Sequence, residues 1–223
     1  MNAMRSPYPG AALLTCVSIA LCMQTVRASP AQSSVWIEVS RDAGAVFSGY
    51  RLPRAAEGMG VVVLAREIAT AAHVVWDAKT ITVIDARGNK VAARVERVDQ
   101  DADIALLSVE TELEHAAAIR LRPVVTGERV VAVRWQRSNG TASLAAGSVW
   151  ATRWTSHGVA VPTILTSIKG QKGMSGGGLF DENGQLVGIV IRIDRTLSYL
   201  STLPVSELCT RFARCAGEFK ESR

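Results

Sequence analysis

Ser175 sits in the segment Gly173-Met174-Ser175-Gly176-Gly177-Gly178, where glycines crowd a single hydroxyl. Acyl transfer by a serine needs an exposed hydroxyl and backbone N–H groups aimed at the oxyanion that develops. Glycines let the chain turn tightly and present those N–H groups with no side chain in the way. The donors would be the amides of Gly173 and Ser175. Taken alone, the segment reads equally well as a glycine-rich hairpin loop with an incidental serine.

A serine nucleophile also needs a positioned base and a group to orient that base. The chain has three histidines. His73 follows Thr70-Ala71-Ala72, small residues that permit close packing at a strand end. His115 lies in a polar stretch, and His157 stands beside Gly158 in a turn-like one, both of which suit solvated surface positions. For the orienting carboxylate, Asp99, Asp101 and Asp103 lie close together. Asp103 directly precedes the apolar run Ile104-Ala105-Leu106-Leu107, so it is the one best placed to point inward.

These residues need elements to hold them. From Trp36 onward the chain reads as many short strands. Val61 to Leu64 is wholly apolar. Ile81 and Val83, then Val91, Ala93 and Val95, alternate on either side of a turn at residues 85–90, the signature of a hairpin. Residues 104–109 form another strand, and the more polar 111–122 connects two halves. Strands are expected at 129–135, 143–154, 163–167, 179–180, 186–193 and 199–203, with a turn at 181–184. After Pro204, the spacing of Val205, Leu208 and Phe212 predicts a helix over 205–214. Many short strands with one terminal helix indicate an all-β barrel or sandwich.

Together the segments resemble the trypsin-like serine proteases, especially the bacterial branch that includes the HtrA/Deg proteases. The resemblance runs from about Gly58 to Ile193. It is carried by Gly58 to Val63, Ala72-His73-Val74-Val75, Asp103 to Leu107, Gly173 to Gly177, and Leu179 to Ile189. The order His, Asp, Ser is the family's order. It implies two six-stranded antiparallel β-barrels, the first over about 35–115 and the second over about 123–204, followed by the C-terminal helix. The catalytic set would be His73 and Asp103 on the first barrel and Ser175 on the second, with Gly173 and Ser175 as the oxyanion donors. The implied activity is that of an endopeptidase acting on proteins or peptides, unfolded proteins among them. The alternative is a protease-like binding module that has lost turnover. An esterase is disfavoured, since nothing resembles the Gly-x-Ser-x-Gly elbow.

Departures from the family pattern narrow this reading. Met174 stands where digestive members carry an aspartate that pairs with a newly cut N-terminus, so that activation switch is not expected. Gly178 replaces the usual proline, and no cysteine flanks His73. No residues after Arg223 supply the peptide-binding PDZ domain that HtrA/Deg members append, so the protease domain alone is expected. Lys169 lies where trypsin carries its pocket acid, which disfavours basic substrates and leaves Lys169 and Ile191 as pocket candidates.

The ends and composition set the context. Arg5, an apolar run from Ala11 to Met23, and Val26-Arg27-Ala28 fit a signal peptide over 1–28 with export to a periplasm or the exterior; an uncleaved anchor is the alternative. Residues 29–34 read as a linker and 35–223 as the protease domain. The net charge is +5, and loss of the leader leaves 23 basic residues against 20 acidic. No Lys/Arg cluster of the kind that tracks phosphates is present, so no nucleic-acid partner is implied. No metal-spaced His/Cys cluster or phosphate-cradling loop exists, so neither metal nor organic cofactor is implied. Of four cysteines, Cys209 and Cys215 would remain after cleavage, and a bridge between them requires the helix to end between them.

Overall fold

The computed structural model describes residues 28–136, 140–156, 158–194 and 197–213. Its strands are β1 (Ser34–Arg41), β2 (Val46–Phe47), β3 (Tyr50–Arg51), β4 (Ala55–Leu64), β5 (Glu67–Ala71), β6 (Ala78–Ile84), β7 (Lys90–Asp99), β8 (Ile104–Val109), β9 (Arg129–Gln136), β10 (Thr141–Trp154), β11 (Thr163–Lys169), β12 (Gly178–Asp181), β13 (Leu186–Ile193) and β14 (Tyr199–Pro204). A single helical turn, α1 (Ala72–Val75), follows β5, and α2 (Val205–Phe212) follows β14. The first barrel closes in the order β1-β4-β5-β8-β7-β6 and the second in the order β10-β11-β14-β13-β12-β9. Every strand pair is antiparallel, as expected from the sequence.

Local chemistry explains the element boundaries. The β6–β7 hairpin turns where Asp85 accepts from the N–H groups of Arg87 and Asn89, with Gly88 at φ +87°. Asp181 does the same before Gly184 in the β12–β13 turn, accepting from Asn183 and Gln185. These are Asx turns, in which a short acidic side chain replaces a backbone acceptor. The β2–β3 hairpin is an addition to the sequence reading. Its strands have two residues each, too short for alternation to register.

The two cores differ in reach. Second-barrel residues Val130, Ile164, Ile168, Met174, Leu179 and Val190 form a compact cluster. The first barrel's cluster runs on through Val133, Phe180, Ile189 and Ile191 of the second barrel and Val205, Leu208 and Phe212 of α2. Each such buried side chain is worth about 1.5–3 kcal/mol, so apolar packing joins the barrels. Trp36 and Trp135 add a stacked pair, one ring from each barrel, with centroids 6.2 Å apart.

Residues 29–33 form a turn in which Ser33 N–H and Ser34 Oγ bond back to Ser29 O and Pro30 O. Ser33 and Ser34 are fully buried. Helix α2 spans Val205–Phe212 and ends at Ala213 in the left-handed region, φ +52°. Cys209 is disulfide-bonded. Cys215 lies outside the described residues, as does nearly all of the proposed leader.

Candidate active site

His73 lies on α1, whose one turn cannot satisfy its own first N–H groups. Asp103 satisfies them from the turn that leads into β8. Its carbonyl accepts from Ala72 N–H at 3.1 Å and its Oδ1 from His73 N–H at 3.0 Å. The same carboxylate holds the imidazole, with Nδ1 at 3.0 Å from Oδ1 and 2.9 Å from Oδ2. A carboxylate only accepts, so this contact places the proton on Nδ1 and leaves Nε2 as the basic nitrogen. Asp103 is fully buried, and its backbone takes φ +54°, a left-handed conformation that aspartate tolerates better than most residues. Wholly buried Ala71 and Ala72 allow the close approach. From the other end, the guanidinium of Arg41 on β1 donates to Val74 O at 2.6 Å, anchoring α1. Burial draws the Arg41 pKa down, with Asp77 partly opposing.

Ser175 is held by the opposite barrel as well as its own. Met59 N–H on β4 donates to Ser175 O at 2.8 Å, while Thr70 Oγ1 donates to Met59 O at 2.7 Å. The next amide, Gly176 N–H, donates to Val190 O on β13 at 2.6 Å. Gly176 has φ +86°, and a Cβ there would lie 2.0 Å from Met59 O. Met174, the residue before the serine, is 2% exposed and packs in the second barrel's core. The loop is therefore anchored by an apolar side chain at the place where digestive relatives use a charge.

The amides of this loop divide into two sets. Those of Met174, Gly176 and Gly177 donate to Gln171 O, Val190 O and Met174 O. Among the described residues, those of Gly173 and Ser175 donate to no protein acceptor. Gly173 has φ +92° and rests against the edge of the Trp36 ring. Two unspent N–H groups two positions apart are what an oxyanion would require.

His73, Gly173 and Ser175 line one cleft of about 390 Å³, together with Phe47, Tyr50, Glu57, Lys172, Ile191 and Arg192. Among the described residues no hydrogen bond joins the Ser175 hydroxyl to His73. Such bonds are often loose before substrate arrives. Of the two pocket candidates, Ile191 lines this cleft. Lys169 does not: it is exposed on β11, with its ammonium 4.3 Å from the centre of the Tyr199 ring. His115 lies in the connector beside Glu114 and lines a different cavity. His157 is outside the described residues.

Sequence reasoning did not single out several residues that build the site. Phe47 and Tyr50 come from the short β2–β3 hairpin, and Phe47 lies 6.2 Å from the His73 ring. Met59 acts through its backbone, for which no side-chain signal exists. Of the strand 190–193, which the family resemblance places along the primary pocket, the sequence singles out Ile191 and not Arg192.

A closed pair of six-stranded barrels, with a histidine–aspartate pair facing a serine across their cleft, defines the trypsin-like serine protease fold. The sequence matches the trypsin-like peptidase domain family over residues 58–189, and the chain belongs to that family. Among solved structures, it is similar to the active form of the Rv3671c protease from M. tuberculosis. The two are 22% identical over 84% of this chain and 82% of that one, with a TM-score of 0.72. The inactive form of Rv3671c also matches, at 22% identity over 84% of this chain and 90% of that chain, with a TM-score of 0.66. The HtrA-type protease AlgW, solved with a tripeptide, is 20% identical with a TM-score of 0.70; the match covers 82% of this chain and 60% of that chain. At these identities the likeness is one of fold. No curated protein matches the sequence.

Proposed function

We propose that the protein is an exported serine endopeptidase that cleaves peptide bonds through an acyl-enzyme. The observation that carries this reading is the buried Asp103 carboxylate fixing His73 by Nδ1 while Ser175 lines the same cleft. In this reading, Ser175 Oγ attacks the peptide carbonyl as His73 Nε2 takes its proton. The N–H groups of Gly173 and Ser175 hold the oxyanion, and His73 returns the proton to the leaving amine. Water then repeats the sequence on the ester. Asp103 orients the imidazole and stabilises its charged form. Proteins and peptides are the substrates the family implies. Export rests on the leader-like character of residues 1–28.

A second reading is favoured by one observation, the missing hydrogen bond between Ser175 and His73. It makes the protein a binding module that recruits a partner through the cleft. Cleavage of an unfolded test protein separates the two. The wild-type chain degrades it, and Ser175→Ala does not while keeping the same circular dichroism spectrum. Undiminished cleavage by that variant would overturn the assignment of the nucleophile.

A further inference from the structure

Arg192 places a partly buried cation inside the candidate active site. It lies on β13 and lines the cleft shared by His73 and Ser175. Its side chain is 21% exposed, and Nη2 stands 3.9 Å from Asp103 Oδ2. That is an ion-pair distance, and His73 engages both oxygens of the same carboxylate.

Gly158 and the Asp103 carboxylate flank the guanidinium. Gly158, from the loop before β11, lies directly beside it: a Cβ there would be 3.2 Å from Nη1, and its φ of +72° suits glycine. The same loop is tied to the aspartate turn of the first barrel by Ala160 N–H, which donates to Asp101 O at 2.8 Å. Arg192 thus sits between the Asp103 turn and a loop shaped to leave it room. A guanidinium is a planar, pre-organised fork, so it loses little freedom for each hydrogen bond it forms to an anion. The cleft's charge has the matching sign. Among the described residues lining it, Arg192 and Lys172 are cationic and Glu57, from β4 on the first barrel, is acidic, with the buried Asp103 carboxylate behind Arg192.

We infer that Arg192 selects substrates with an aspartate or glutamate side chain close to the scissile bond. The inference rests on the endopeptidase reading above and names the substrate class of that same cleft. A carboxylate meeting a guanidinium forms charge-assisted, often bidentate hydrogen bonds, and shielding from water strengthens them. A substrate lysine or arginine in the same place would meet two cations. Selection falls to Arg192 because Lys169 is stacked on Tyr199 outside the cleft.

The test uses fluorogenic peptides that differ only by Glu, Gln or Lys at each position flanking the cut. At one position the Glu peptide should exceed the Gln peptide in kcat/KM by about tenfold, mainly through KM, with the Lys peptide lowest. Added salt should shrink the preference. Arg192→Gln should erase it, Arg192→Glu should invert it towards Lys, and Lys172→Gln should retain it. Equal kcat/KM for all three peptides in the wild type overturns the inference, whatever the variants do. So does a preference that survives Arg192→Gln or disappears in Lys172→Gln. Cleavage with no charge preference leaves the endopeptidase reading standing, whereas absence of any cleavage sinks both.

Discussion

At Gly176 two constraints coincide. Its φ of +86° is strained for any residue with a Cβ, and a Cβ there would approach Met59 O to 2.0 Å and Thr70 Oγ1 to 2.3 Å. Either side chain movement or backbone movement would disturb the Met59 N–H bond that fixes Ser175 O. Gly176→Ala should therefore cost more than about 2 kcal/mol of stability, and activity should fall beyond what the loss of folded protein explains. Urea titration alongside peptide turnover checks both. The sequence made Ser175, His73 and Asp103 legible because side-chain type and chain order carry that information. It could not reveal Met59, which contributes only backbone atoms. Nor could it reveal that Arg192 stands by Asp103, because folding alone brings those two residues together.

Among the elements, α2 is tied to the turn that leads into Asp103. Arg211 on α2 bonds both Asp99 and Glu207, and Asp99 Oδ1 accepts from Ala102 N–H at 2.9 Å. Arg97 on β7 reaches the end of the helix, donating to Phe212 O at 2.7 Å. Burial pushes the Asp99 carboxyl up, but the Ala102 amide and Arg211 outweigh it and hold the group below its ordinary value of 3.8. A depressed folded pKa means that the stability it supplies is complete above the unfolded value. It is lost as pH falls through the folded one. Asp99→Asn should thus lower stability by about 1–2 kcal/mol at neutral pH. The gap to wild type should close only as pH drops below 3.8, as thermal melts across pH would show. The helix itself was legible from the spacing of Val205, Leu208 and Phe212, all buried. Its ion pairs to a distant turn were not, because a periodic pattern reports one face and not its partner.

For the whole molecule, the connector between the barrels is part of the interface. Arg120 N–H donates to Leu186 O, and Leu186 N–H donates to Ala118 O, so the chain is stitched to β13 as it crosses. The Arg120 guanidinium pairs with Glu128 and, at 3.0 Å, with Asp181, which is 3% exposed. Arg120 draws the Glu128 carboxyl below its ordinary value, with burial opposing. Arg120→Met would leave Asp181 buried with one oxygen unpaired. The expected loss is about 3 kcal/mol in urea unfolding, without a change in which peptides are cleaved. The strand pattern conveyed an all-β chain, and the family resemblance conveyed two barrels. The order in which twelve strands close and the apolar cluster that crosses between the barrels came only with the three-dimensional structure.

The central claim is that Ser175 is a nucleophile activated by His73 and assisted by the amides of Gly173 and Ser175. A fluorophosphonate probe reports on all of these together, because it reacts only with a serine whose base and oxyanion donors are competent. Incubation of the purified protein with the probe, followed by peptide mass mapping, should place the adduct on Ser175. Substitution of His73 by alanine should abolish it. A folded wild-type protein that takes up no probe at Ser175 would contradict the account and leave the binding-module reading in its place.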